Sequence, residues 1–303
     1  MNVRNRKWMR IAGIVIALYA ILVACAPTPT PVPPTKAPQP TRTPAAVKSP
    51  EPTQAPVPKY NQAPQLAELV NAGKLPPVNQ RLPDEPLVVE TFEGIGQYGG
   101  VWRRGFLGTS DVNNYASVVY DALVRFSPDG TAIEPKIAAG WEASKDFSVW
   151  TIKLRKGAKW SDGAPFTADD ILFWYKDVLL NKDLTPTLPA WMKNKDGSAV
   201  EVKRIDDYSA QWVFKDPNAT FLMELATKDG ADHSFAVFLP SHYLKQFHAG
   251  YADKSTLDNL LADAKLKNWS ELFAAKNSPL ENPDRPTMAA WMPVTRAGGS
   301  TFV

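Results

Sequence analysis

Residues 119–175 read VYDALVRFSPDGTAIEPKIAAGWEASKDFSVWTIKLRKGAKWSDGAPFTADDILFWY, and this stretch decides the fold. Within it Ser148–Arg155 alternates: Trp150, Ile152 and Leu154 fall on one side, and Thr151, Lys153 and Arg155 on the other. A period of two with one apolar face predicts a half-buried strand. Ser127, Pro128, Asp129 and Gly130 predict a tight turn before it, and Asp162-Gly163 another after it. Thr167 followed three residues on by Asp170 predicts a capping-box helix start, with Asp as a shorter version of the usual Glu. Ile171, Leu172, Tyr175, Val178 and Leu179 then recur at three- and four-residue spacing, so this helix runs to about Asn181 with one core face.

Working outward, Pro64–Gly73 predicts a short helix with Pro at its first position and Gly at its stop. Leu87–Glu90 and Val101–Phe106 predict strands, and Val112–Leu123 a helix. Val200–Ile205 and Ala210–Phe214 predict a strand pair with Asp206-Asp207 at its turn, and beyond Ser255 the pattern is helical to about Ala275. Strands and helices mix without strict βαβ alternation, which implies an α/β or α+β fold with a mixed sheet.

The first sixty residues have a different composition. Met1–Arg10 carries Arg4, Arg6, Lys7 and Arg10 and no acid, which accounts for the formal net charge of +3 and leaves the rest near neutral. No basic stripe marks a nucleic-acid surface. Ile11–Ala24 is an uncharged apolar run, short of the about 20 residues a bilayer span needs, and it fits a signal-peptide core. Leu22, Val23, Ala24 and Cys25 then resemble the bacterial lipobox, which implies residues 1–24 as a lipoprotein signal peptide and Cys25 as the acylated first residue, carrying palmitate-type chains. Several acyl chains on one cysteine would anchor the protein stably at the membrane. Cys25 is the only cysteine, so neither an internal disulfide nor a Cys-based zinc site is available. Residues 25–59 are a Pro/Thr-rich tether, extended at about 3.1 Å per residue and reaching on the order of 100 Å. Residues 60–303 are the folded part in this division of the chain.

The order of motifs carries a resemblance. Tyr120, Asp121, Leu123 and Val124; then Pro135 to Trp141 and Glu142; then Leu154, Arg155, Lys156 and Gly157 through Asp162, Gly163, Thr167, Ala168 and Asp170 resemble the extracellular solute-binding proteins of family 5, the oligopeptide, dipeptide and nickel group. The resemblance covers roughly residue 60 to 303. It implies a type II-like periplasmic-binding-protein fold, of which this chain supplies the first lobe with a mixed sheet, while the second lobe lies beyond Val303. It implies a receptor that captures oligopeptide-like solutes outside the cytoplasm for the permease and ATPase subunits of an ABC importer, as a monomer, with no cofactor and no chemistry of its own. An oligosaccharide is the alternative ligand, motivated by the ten Trp. A surface-anchored hydrolase or adhesin is the reading from another class. By the same resemblance the ligand-side positions are Thr109, Ser110, Asp111 and Asn113, and the segment Leu184–Trp191, in which Trp191 lies against the ligand. The quoted motif residues are structural: a turn at Asp162-Gly163, a cap at Thr167, core at Trp141 and Trp150.

Other motifs point nowhere. Gly94, Gly96 and Gly99 spell G-x-G-x-x-G, but a dinucleotide site needs a helix opening there, and Val101, Trp102 and Arg103 continue as a strand pattern. His233, His242 and His248 have no pairing at helical spacing and no thiol beside them, so no metal site is expected. No G-x-S-x-G elbow is present. Asp169-Asp170 and Asp206-Asp207 sit at a helix start and a turn, where acids serve dipole and turn geometry.

Overall fold

Helix α1 (Pro64–Asn71) opens on the proline and stops at Gly73, whose φ of 67° is the left-handed value a helix C-terminus favours. A short turn of helix, α2 (Val78–Arg81), follows. The computed structural model describes residues 59–103, 122–228, 237–279, 281–292 and 294. The signal segment, Cys25, the tether up to residue 58, Thr109, Ser110, Asp111, Asn113 and His233 lie outside these, as does most of the helix expected at Val112–Leu123.

The segment after α2 docks by its backbone. The Asp84 amide donates to the Lys156 carbonyl (2.9 Å), and Arg155 Nη1 donates to the Glu85 carbonyl (3.0 Å). Beyond it, Leu87–Glu90 forms no strand, and Val88, Phe92, Ile95 and Trp102 are exposed. An apolar strand pattern becomes a strand only beside a partner ladder, and among the described residues none lies there. No helix opens at the glycine motif either, and Gly94, Gly99 and Gly100 take positive φ.

Two hairpin systems form the β layer. Strands β1 (Val124–Phe126) and β2 (Ile133–Pro135) pair antiparallel, with Arg125 opposite Glu134 and bridged to it at 3.1 Å. The predicted turn joins them. Asp129 Oδ1 accepts from Ser127 Oγ (2.6 Å), the Thr131 amide (3.1 Å) and Thr131 Oγ1 (2.8 Å). These bonds, Ser127 foremost, lower the Asp129 pKa to about 2. Strands β3 (Ala138–Ala143), β4 (Val149–Leu154), β5 (Glu201–Asp206) and β6 (Ser209–Val213) form one sheet in the order β3-β4-β6-β5. The chain thus mixes strands and helices as expected, while the ladders among the described residues are antiparallel.

The alternation of β4 is realised: Trp150, Ile152 and Leu154 are buried and Lys153 is exposed. Trp150 stands opposite Trp212 of β6, and Phe221 packs 5.8 Å from the first ring and 5.6 Å from the second. Phe221 opens α4 (Phe221–Lys228). Burying an aromatic of this size contributes about 1.5–3 kcal/mol. Trp141 is only partly buried, packed on this core from β3.

The predicted capping box is present. Thr167 caps α3 (Ala168–Phe173), and Asp170 returns its carboxylate to the Thr167 amide at 3.1 Å. The helix then widens, for Trp174–Leu179 is a π-helical turn. Two of its carbonyls are taken by side chains from elsewhere: Thr185 Oγ1 donates to Val178 (2.8 Å), and His248 Nε2 to Asp177 (2.9 Å). Helix α5 (Ser241–Leu244) runs into a 3-10 turn (Lys245–Phe247). The single helical stretch expected beyond Ser255 is two helices, α6 (Lys254–Ala264) and α7 (Trp269–Asn277). Lys265 in the left-handed region, φ 55°, ends the first, and the Asn268 side chain caps the second through the Glu271 amide. Among the described residues no helix is long and apolar enough to cross a membrane.

Candidate functional site

Two concavities stand out. A groove of about 870 Å³ runs between the docked Asp84-Glu85 segment and the β5–β6 turn. Its charges are largely spent within the fold. Arg204 is bridged to Asp169 (3.0 Å) and to Asp207, Arg155 holds Glu85 and Lys136 carbonyls, and Asp206 Oδ1 accepts from the Tyr208 amide (2.7 Å). This groove is the seam of a structural junction.

The second is a cavity of about 410 Å³ between the π-turn, the Asp183–Thr185 bend and one side of α7. That volume lies in the range of small-molecule sites. Local sequence explains each wall. Asn181 Oδ1 accepts from the Asp183 amide (2.9 Å), and the Asn181 carbonyl accepts from the Thr185 amide (2.7 Å), which turns the chain back over the π-turn. The chain bends at Pro186 and Thr187, and Pro189 is extended where it leads into the 3-10 turn Ala190–Met192. On the far side, the Asn268 cap fixes the first turn of α7 and so places Ser270 and Glu271 at the rim.

The floor is apolar, from Trp174, Leu179, Leu239 and Phe273, and the rim is polar, from Asp183, Thr185, Ser270, Glu271 and Asn277. Much of the rim is already oriented. Asp183 Oδ2 accepts from Trp269 Nε1 (3.3 Å), Glu271 Oε2 from the Lys267 amide (2.9 Å), and Asn277 Oδ1 from Arg285 Nε (3.0 Å). Among the described residues, one carboxylate oxygen on each acid and the Asn277 amide nitrogen remain without a partner. No lining residue is basic, and none is a thiol or an imidazole. Such a site suits a solute that presents hydrogen-bond donors, ammonium or hydroxyl, over an apolar body. It holds no nucleophile and base in contact. Among the described residues no cluster of His, Cys, Asp and Glu is arranged for a metal ion.

Of the residues named from sequence, Thr109, Ser110, Asp111 and Asn113 fall outside the described residues. From the Leu184–Trp191 segment, Leu184 itself lines the cavity, together with Thr185. Trp191 sits behind the wall, buried and stacked on Trp174 with ring centroids 6.2 Å apart and planes 14° from parallel. Its indole nitrogen is buried without a hydrogen-bond partner. Sequence reasoning missed α7 as a wall. Its signal was the Asn268-x-x-Glu271 spacing, a helix-start pattern that fixes where Ser270 and Glu271 point.

Behind the cavity His248, 4% exposed, joins the same two walls. The Gly250 amide donates to its Nδ1 (3.0 Å), so Nε2 carries the proton and donates to Asp177. The rings of Trp269 and Phe273 of α7 cross the imidazole plane at 68° and 80°, with centroids 4.8 and 5.7 Å from its own. Tyr251 donates to Asp177 Oδ2 at 2.9 Å, and burial first, then this carboxylate, raises the phenol's pKa.

Comparison with known proteins fits this geometry. Residues 132–264 match the model described as bacterial extracellular solute-binding proteins, family 5 middle. The periplasmic alpha-galactoside-binding protein of Rhizobium meliloti (strain 1021) is 32% identical over 254 residues, 75% of this chain and 33% of the relative. The dipeptide-binding protein of Escherichia coli (strain K12) is 32% identical over 167 residues, 50% of this chain and 30% of the relative. Among solved structures, an oligopeptide-binding protein OppA is 38% identical with a TM-score of 0.73, over 82% of this chain and 38% of its own. The binding protein MelB of Agrobacterium fabrum C58, solved with stachyose, is 30% identical with a TM-score of 0.57, over 78% of this chain and 36% of its own. The chain spans about a third of the length of the curated relatives it matches. Through residues 132–264 and the α/β fold built on them, this chain belongs to the bacterial extracellular solute-binding proteins of family 5.

Proposed function

We propose that this protein captures an oligopeptide-like solute outside the cytoplasm and presents it to an ABC importer, whose other subunits supply the energy. The observation that carries the reading is the donor-seeking cavity on a fold that superposes on OppA with a TM-score of 0.73. Asp183 and Glu271 would receive ammonium or amide donors, and Trp174, Leu179 and Phe273 would take apolar side chains. Thr109, Ser110, Asp111 and Asn113 would complete the ligand side, with Trp191 backing it. The protein performs no chemistry in this reading. A lipid on Cys25 holds it at the membrane, residues 25–59 lift residues 60–303 clear of the surface, and it works as a monomer. Capture would shift an open–closed equilibrium that the permease senses.

A second reading, an oligosaccharide ligand, is favoured by two findings: the relative matched over 75% of this chain is named for alpha-galactosides, and MelB was solved with stachyose. Saturation-transfer NMR separates the two. Transfer to tri- and tetrapeptides that is abolished by Asp183→Ala with Glu271→Ala supports the peptide reading. Transfer to galactosides alone replaces it with the second. Turnover of any peptide or glycan overturns the non-enzymatic reading.

A further inference from the structure

The wall of the cavity is fastened at one point by a buried imidazole. His248, held in its own loop by the Gly250 amide, links two segments that are remote from it in sequence: the Asp177 carbonyl of the π-turn and the Trp269 and Phe273 rings of α7. The π-turn and α7 are the two sides of the cavity. The hydrogen bonds admit one state of the ring. Gly250 offers only a donor and the Asp177 carbonyl only an acceptor, so Nδ1 is bare and Nε2 protonated.

We propose that His248 is a proton-sensitive positioning residue of this cavity, and that protonating it detaches the 249–252 backbone and loosens the π-turn from α7, so that acidification weakens solute capture. The proposal rests on the cavity being the solute site.

A second proton on the ring can go only to Nδ1, where it meets the Gly250 N–H head-on across 3.0 Å. Two donors cannot share that distance, so the backbone must move. There is little room for the ring to move instead. A Cβ placed on Gly250 would already lie 3.1 Å from Nδ1 and 3.2 Å from Cε1, and aromatic edges close the other sides. The displaced stretch is itself tied to His248, whose carbonyl accepts from the Tyr251 and Ala252 amides, both at 2.9 Å. Tyr251 in turn holds the Asp177 carboxylate, so the disturbance reaches the π-turn by a second route.

The charged and titratable groups facing the ring are few among the described residues. From the π-turn comes Asp177, with its carboxylate engaged by Tyr251. From the 3-10 turn comes Lys245, whose ammonium lies 4.9 Å from the Tyr251 ring and 5.7 Å from the Phe173 ring. The loop itself contributes the Tyr251 phenol. From α7 come only uncharged rings, Trp269 being bonded outward to Asp183. The Asn181 amide stands 3.5 Å from Nε2 and is neutral. An imidazole gains a proton and a positive charge on acidification, which is the perturbation the switch responds to.

The test uses the whole chain, with no solute, followed by NMR from pH 8 to pH 5. The readouts are His248 ring nitrogens, the Gly250 amide protection factor, and the methyls of Leu179 and Leu239. The expected result is one shared midpoint for all three, with Gly250 protection falling roughly tenfold, the loss of about one hydrogen bond. His248→Gln, which can still donate to Asp177, should abolish the methyl shift, and Tyr251→Phe should keep it. The proposal is overturned if the ring titrates while Gly250 or the methyls stay still, if the ring does not titrate in this range, or if the shift survives in His248→Gln. Should that variant fail to fold, the wild-type midpoints decide alone. Because no solute enters, this result stands apart from the question of which solute binds.

Discussion

Replacing Asp170 tests how the fold holds its cavity together. Its carboxylate is 2% exposed and accepts four hydrogen bonds: from the Thr167 amide (3.1 Å), Trp160 Nε1 (3.1 Å), the Ser241 amide (3.1 Å) and Ser241 Oγ (2.7 Å). It therefore pins α3 to α5 across 71 positions of sequence. Its carbonyl also accepts from the Leu239 amide (3.3 Å), and Leu239 is part of the cavity floor. Asp170→Ala leaves two backbone amides and one indole with no acceptor, whereas the Ser241 hydroxyl can turn away. At roughly 1–3 kcal/mol for each orphaned buried donor, the cost is about 4 kcal/mol after partial relaxation. A loss of that size is at the upper end for a single substitution. For a domain of this length it lowers Tm by roughly 8–16 °C. Asp170→Asn keeps one acceptor and turns an amine toward the remaining donors, so roughly half that loss is expected. Urea unfolding followed by far-UV circular dichroism reads both variants. If Asp170→Ala stayed within 1 kcal/mol of wild type, the carboxylate would not be the clamp that its four bonds describe.

The Asp129 turn should respond to acid in one direction. Its carboxyl is depressed to about 2 from 3.8, so the bonds it accepts contribute fully above about pH 4 and are lost as pH falls through about 2; protection of the Thr131 amide measures this. Replacing Cys25 by Ser should move the protein from the membrane to the soluble fraction, as read by fractionation and immunoblot, and retention at wild-type level would exclude acylation as the anchor. Peptide binding at the acidic rim should weaken as salt rises from about 0.1 M to 1 M, where the Debye length shrinks from about 10 Å to about 3 Å. Galactoside binding should not change, and equal salt dependence would remove the carboxylates from the account.

How much of this was legible in sequence depends on how local the cause is. The β4 strand and the Thr167 capping box are set by residues within a few positions, and both were readable. The π-turn was not. Ile171 to Leu179 keeps helical spacing throughout, and the widening is held by Thr185 and His248, whose contacts only the tertiary fold creates. The break between α6 and α7 was hidden for another reason, because the left-handed position is occupied by Lys265 where a glycine would have announced it. The strand expected at Leu87–Glu90 shows the converse, since its pattern is right but a ladder is a property of two segments. For the site, the Leu184–Trp191 segment was flagged by resemblance, and its first two residues, Leu184 and Thr185, reach the cavity. The α7 rim was not flagged, because Glu271 and Asp183 are far apart in sequence and are brought together only by tertiary contacts, the Trp269–Asp183 bond and the His248 hub.

The two candidate solutes ask different things of the same cavity. A sugar ring needs an open aromatic face to lie on. Trp174 is 3% exposed, and one of its faces is covered by Trp191, itself 8% exposed, so this pair stiffens the wall and offers little platform. Phe273, 2% exposed, is likewise committed inward, to the edge of His248. The groups left with unused capacity at the rim are one acceptor oxygen on each of Asp183 and Glu271 and a single donor, the Asn277 amide nitrogen, so acceptors predominate. A carboxylate oxygen gains more from a cationic N–H than from a neutral hydroxyl that water could replace at similar strength. The described wall therefore favours nitrogen donors on its own chemistry, even though the relative matched over 75% of the chain is named for galactosides. A sugar-binding protein built on this wall would have to bring its aromatic platform from outside it.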